Sequence, residues 1–172
     1  MEEFARHFSD PCFEPDLLEA LRLCLPHPVH PIWVCIGSDR HILDCFGPMT
    51  GAMLRDYSDR FTVYGTLDQP VDAKNLTYKM EQITNHASSV LVAIDASLGE
   101  ESQIGMIKLK KGPLLPGKAL SRKLPPIGDI SITGIMGKEL NRKNINSGSI
   151  SNTYFMAQKL SRTIWLWQQA NA

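Results

Sequence analysis

Three short apolar runs constrain this chain more than anything else in it. Ile32-Trp33-Val34-Cys35-Ile36-Gly37, Phe61-Thr62-Val63-Tyr64-Gly65 and Val90-Leu91-Val92-Ala93-Ile94-Asp95 are nearly unbroken, whereas a strand with one wet face would alternate apolar with polar residues. Strands of this kind need cover on both sides. Helical spacing over 48–56 and 75–86 supplies helices between them, so the chain predicts an α/β fold in which the three strands are parallel neighbours and helices lie on both faces.

The flanking segments fit one domain over 1–172. A short helix is expected over 16–25, followed by Pro26-His27-Pro28-Val29-His30-Pro31, where the prolines lack N–H groups and cannot continue it. Residues 1–31 thus read as an N-terminal helix with a Pro/His-rich linker. The stretch 103–110 sets Ile107 and Leu109 against Lys108 and Lys110, the pattern of a half-exposed strand near an edge. Residues 112–127, with four prolines and two glycines, form a long basic loop of a length usually functional or mobile. A further strand is expected over 129–135 and a polar, turn-rich stretch over 138–148. A last helix starts near Ser151-Asn152-Thr153 and carries Met156, Leu160, Ile164 and Trp167 on one stripe. Of Trp165 and Trp167, one belongs in the core; the other suits an exposed position or a homo-oligomer contact.

Charge and cysteine content exclude several classes. Eighteen Lys+Arg balance eighteen Asp+Glu, which gives no global field for a polyanion, so no nucleic-acid partner is expected. Cys12, Cys24, Cys35 and Cys45 are irregularly spaced with no C-x-x-C; neither a zinc site nor a disulfide framework follows. His27 and His30 lack a helical face and a third ligand, and the G-x-G-x-x-G and Walker A patterns are absent, so neither a metal nor a nucleotide cofactor is expected. No apolar stretch approaches the ~18 residues of a membrane span, and the acidic start lacks the apolar core of a leader. A cytoplasmic protein with no membrane partner is the expectation.

In open α/β sheets ligands bind beyond the carboxyl ends of the strands. The first run leads to Asp44 in Asp44-Cys45-Phe46-Gly47-Pro48 and the third to Asp95 in Ile94-Asp95-Ala96. Two carboxylates in one crevice push each other's pKa apart, leaving one as acid and the other as base. Asp39 and Asp68 follow strands at the same edge and could support the pair or the substrate. In the long loop, Lys118 and Arg122 belong to a basic run (Lys108, Lys110, Lys111, Lys118, Arg122, Lys123) suited to an anionic partner or simply to solvent. His41 and Cys45 pair as imidazole and thiolate only on a helix, and Cys45 reads better as a small apolar filler.

The segments Val34-Cys35-Ile36-Gly37-Ser38-Asp39-Arg40, Asp44-Cys45-Phe46-Gly47-Pro48, Tyr64-Gly65-Thr66-Leu67-Asp68-Gln69-Pro70-Val71, Ala93-Ile94-Asp95-Ala96-Ser97-Leu98-Gly99, Gly112-Pro113-Leu114-Leu115-Pro116-Gly117 and Leu124-Pro125-Pro126-Ile127-Gly128-Asp129 resemble the small sporulation proteins related to the bacterial spore germination protease. That resemblance implies a three-layer α/β/α fold with a mostly parallel central sheet, phosphorylase/hydrolase-like as in hydrogenase maturation endopeptidases. It implies peptidase activity with catalytic aspartates at Asp44 and Asp95, a protein or peptide substrate such as a small spore protein, and a place in the forespore or spore interior. The expected function is a spore-associated endopeptidase. Its rivals are a catalytically silent peptide- or protein-binding protein and a metal-assisted peptidase with both aspartates as ligands.

Overall fold

Side-chain alternation along the first apolar run sets the layering. The computed structural model describes residues 2–84, 89–116, 125–138 and 148–171. The chain runs β1 (Glu2–His7), α1 (Phe13–Cys24), β2 (Ile32–Cys35), α2 (Phe46–Tyr57), β3 (Thr62–Tyr64), α3 (Leu76–Thr84), β4 (Leu91–Gly99), β5 (Met106–Lys111), β6 (Ile130–Lys138) and α4 (Ile150–Ala170). The strands form one sheet in the order β1-β5-β6-β4-β2-β3. β3, β2, β4 and β6 are mutually parallel, β5 runs antiparallel to β6, and β1 pairs antiparallel with β5 and so shares the direction of the other four. The expected parallel neighbours are therefore present.

Trp33 and Cys35 of β2 join Val92, Ile94, Ile130 and Ile132 beneath α1, α2 and α4, with Leu17, Phe46, Leu54 and the α4 stripe Met156, Leu160, Ile164 and Trp167. Ile32, Val34 and Ile36 face the other way with Ala93, under Leu76 and Ile83 of α3 and under Leu114 and Ile127. At about 1.5–3 kcal/mol for each fully buried large side chain, this two-sided burial is what makes the short strands viable. Trp167 meets Trp33 edge-on at 6.4 Å. Trp165 instead stacks on Tyr57 at 5.4 Å and staples α4 to α2.

Several boundaries differ from the sequence expectation. β1 was not expected, because Glu2-Glu3-Phe4-Ala5-Arg6-His7 has one large apolar side chain and no alternation; Phe4 packs edge-on against Phe13 at 5.3 Å. β5 consequently lies second from the edge, with β1 outside it. α1 begins at Phe13 rather than near residue 16, since Pro15 fits the first turn, where no N–H is required. β4 runs on to Gly99 because β6 stays paired with it that far, across a bulge between Ser97 and Leu98. α4 begins at Ile150, with the Ser149 hydroxyl accepting from the Asn152 N–H. The two ends of the proline-rich loop are pinned by reciprocal Leu114–Ile127 hydrogen bonds of 2.9 and 3.0 Å.

Candidate active site

Glycine at two positions shapes the turn that carries Asp44. Gly37 has φ +145, and a Cβ there would lie 2.0 Å from the Asp44 carbonyl oxygen; the chain folds back over a residue that must lack a side chain. The Ser38 N–H then donates to that same carbonyl at 3.0 Å. A Cβ on Gly47 would lie 2.1 Å from the Ile36 carbonyl, so the first turn of α2 sits directly on the chain leaving β2. Phe46 is fully buried against Gly134 of β6. The Asp44-Cys45-Phe46-Gly47-Pro48 segment is thus a packing device that fixes Asp44 at the end of a short 3-10 turn, Ile42–Asp44.

Asp95 is held by a strand. On one side β2 pairs no further than Cys35 with Ile94, and the Ile36 N–H donates to the Ile94 carbonyl at 2.7 Å. On the other side β6 continues, with Thr133 opposite Asp95. Asp95 is therefore the first β4 residue beyond the end of β2, not the last residue of its own strand. Its face is that of Ala93, beside Thr133 and near Ser131, whose buried hydroxyl has no partner among the described residues. The connection from β2 goes through α2 to β3 on one side, and that from β4 goes to β5 and β6 on the other. Asp44 and Asp95 occupy this topological switch point, where open sheets leave a crevice.

The two carboxyls are electrostatically unequal. Burial pushes Asp44 up to about 6; the nearby His41 imidazole opposes this, the Asp72 charge adds to it, and hydrogen bonding from the Ser38 backbone opposes it. Asp95, 9% exposed, is raised well above the usual carboxyl range by burial and then by the charge of Asp44, against a hydrogen bond from the Ala96 N–H. That donor lies 2.8 Å from Oδ1. Asp44 feels no matching push from Asp95, because it ionises while Asp95 is still neutral. Burial thus disfavours ionisation of both carboxyls, and at Asp95 the charge of Asp44 adds to it.

Two further groups belong to this neighbourhood. His41 has a buried Nδ1 with no hydrogen-bond partner among the described residues. Asp72 caps the start of α3, accepting from the N–H groups of Lys74 at 2.8 Å and Asn75 at 3.2 Å. Sequence reasoning missed Asp72, since its approach depends on Val71 returning to bridge Ile36. The one clue was a D-x-x-N cap signature, Asp72-Ala73-Lys74-Asn75, which reads as structure rather than site.

Asp39 is exposed in the turn after β2. Asp68 is also exposed; its Oδ1 accepts from the Thr66 hydroxyl at 2.5 Å, and that bond holds it below its ordinary range. Neither acts on Asp44 or Asp95. Lys118 and Arg122 lie outside the described residues. Cys45 is buried, its Sγ donating to the Ile42 carbonyl at 3.4 Å, and burial pushes its thiol up. Among the described residues no group of three or more His, Cys, Asp or Glu side chains is placed to hold a metal ion, and no helix is long and apolar enough to cross a membrane.

Comparison with known proteins gives three findings. The family described as "Protein of unknown function (DUF1256)" matches residues 12–163. The "Uncharacterized protein YyaC" of Bacillus subtilis (strain 168) is 38% identical over 122 residues, which make up 70% of this chain and 58% of that protein; the match thus spans less than two thirds of the relative's length. The crystal structure of a [NiFe] hydrogenase maturation protease, HycI from Thermococcus kodakarensis KOD1, superposes with a TM-score of 0.61 over 89% of this chain and 98% of that one, at 17% identity. At that identity the likeness is one of fold, and it is the fold the sequence resemblance implied.

Proposed function

The chain belongs to the DUF1256 family, and on that footing we propose that it is a peptidase, a spore-associated endopeptidase that hydrolyses a peptide bond of a protein substrate with Asp44 and Asp95. The observation that carries this reading is the placement of two unequally buried carboxyls, one on a turn and one on a strand, at the sheet's switch point. Hydrolysis of an amide needs a base for the attacking water and an acid for the carbonyl or leaving nitrogen. Asp44, ionised above about pH 6, takes a proton from water. Asp95, still protonated, hydrogen-bonds the scissile carbonyl and stabilises the oxyanion as it develops. The fold shared with a maturation protease supports a hydrolase on this scaffold. A small spore protein, met in the forespore or spore interior, is the substrate to try first.

The test is cleavage of a protein substrate by the wild type, Asp44→Asn, Asp95→Asn and the double variant, each with and without a chelator. Each single variant should lose most turnover, and the double should be hardly worse, because groups acting as a unit are not additive. Full activity in either single variant ends the dyad reading. Activity abolished by chelator and restored by a divalent ion makes both residues metal ligands instead. Partner binding without cleavage of any substrate makes the protein a silent member of the fold.

A further inference from the structure

β3 ends the sheet, paired on one side with β2 and on the other with nothing among the described residues. α2 covers one face of the sheet here and α3 the other, so the free edge of β3 lies at the bottom of a trough of about 470 Å³. Arg55, from the last turn of α2, lines it on one side, and Lys79 of α3 on the other; Thr62, Tyr64, Thr66 and Gln69 lie between. No carboxylate is among its lining residues. None of the ion pairs formed among the described residues includes Arg55 or Lys79. Arg55 acts on the Asp68 carboxylate, which accepts from the Thr66 hydroxyl.

Val71, which lines the trough, ties it to the segment that carries Asp44. Beyond β3 the chain turns through Thr66–Gln69, with the Thr66 N–H donating to the Gln69 carbonyl at 3.2 Å, and Val71 then accepts from the Gly37 N–H at 2.9 Å. Gly37 carries the Asp44 turn, and Asp72 acts on Asp44 itself.

We propose that the free edge of β3 is a binding site for an extended, acidic peptide segment, which adds to the sheet as a further strand and places its carboxylates against Arg55 and Lys79. Strand addition needs an open edge, side walls and a chemistry that selects the incoming chain. The edge donates and accepts main-chain hydrogen bonds whatever the sequence, while the two cations, with no acid of their own in the trough, select for negative side chains. A segment so bound is led toward Asp44 and Asp95. The assignment of this segment as substrate rests on the peptidase reading; the binding itself does not.

The experiment is fluorescence anisotropy of the full-length protein with a labelled extended peptide of alternating valine and glutamate. Its controls are the same peptide with lysine for glutamate and one with proline at alternate positions. The glutamate peptide should bind, with affinity falling as salt rises, and both controls should bind at least about tenfold more weakly. Arg55→Gln with Lys79→Gln should weaken glutamate-peptide binding at least about fivefold, and the double reversal to glutamate should favour the lysine peptide. Thermal midpoints equal to wild type keep these variants interpretable, and the Thr62–Tyr64 amides should gain hydrogen-exchange protection when peptide is bound. Equal affinity for glutamate and lysine peptides, no loss on proline substitution, or binding unchanged in the double variant overturns the proposal. So does protection of those amides by self-association alone, seen as a concentration-dependent dimer. Peptide binding intact with no cleavage at all refutes the peptidase reading and leaves this site standing. Cleavage lost in Asp44→Asn but KM unchanged in the Arg55/Lys79 double variant does the reverse.

Discussion

Replacing Asp44 by asparagine should make the protein more stable at neutral pH while abolishing its turnover. Asp44 is lifted from an ordinary 3.8 to about 6, chiefly by burial. A carboxyl that holds its proton more tightly when folded loses stability for the fold as pH rises from the unfolded value through the folded one, and the full penalty is present above the folded value. At ~1.4 kcal/mol per pH unit the penalty comes to about 1 kcal/mol at pH 4.5 and about 3 kcal/mol at pH 7.5. Partial exposure of Asp44 makes these figures ceilings. Asparagine keeps the shape, still accepts from the Ser38 backbone, and carries no charge to bury. Urea titrations of wild type and Asp44→Asn at the two pH values read the difference directly, and for a chain of this size 3 kcal/mol is ~6–12 °C in midpoint. A gain that is the same at both pH values, or a variant less stable than wild type at pH 7.5, would refute the reasoning.

The turnover of the wild type should rise through about pH 6 as Asp44 ionises and fall at higher pH as Asp95 loses its proton, a bell whose limbs a pH–rate profile measures. His41→Asn removes a group that favours the ionised form of Asp44, so the acid limb should move up in pH, and an unmoved limb would remove His41 from the site. Gly47→Ala places a methyl 2.1 Å from the Ile36 carbonyl; pushing α2 off the strand should lower stability by about 1–3 kcal/mol, read by denaturant midpoint. Iodoacetamide on the native protein should label Cys12 first, because Cys35 and Cys45 are buried and burial pushes their thiols up; mass spectrometry of the labelled protein checks this.

The central strands were legible because their apolar runs had to be covered on both faces, and β2 and β4 meet that requirement residue by residue, Trp33 and Cys35 one way and Ile32 and Val34 the other. The stripe of α4 was legible for the same reason. β1 was not, since Phe4 alone anchors it and its pairing with β5 is a long-range fact. Asp44 and Asp95 could be picked out because one follows and the other ends a buried apolar run, and unequal pKa values were expected of them, but the causes could not be read: His41 and the Ser38 backbone act on one and an enclosed strand on the other. Asp72 reaches the site only through the Ile36–Val71 bridge, which no local pattern announces.

That inequality has a backbone origin. A residue at the end of a tight turn can be served by amides of the same turn, and Asp44 is: the chain folds over Gly37 and brings the Ser38 N–H and the His41 ring to it. A residue inside a strand has its neighbours' amides committed to the adjoining strands, so Asp95 is left with the Ala96 N–H alone. Each carboxyl has one backbone donor, so deeper burial and the charge of Asp44 make the strand carboxyl hold its proton more tightly, while the His41 ring favours ionisation of the turn carboxyl. On the proposed reading the acid is thus carried by a central strand of the sheet and the base by a turn wedged between β2 and α2. By the same reading, a scissile carbonyl accepts from Asp95 and the attacking water donates to Asp44. On that reading the polarity of attack follows from which backbone carries which aspartate, because the strand position is the more deeply buried.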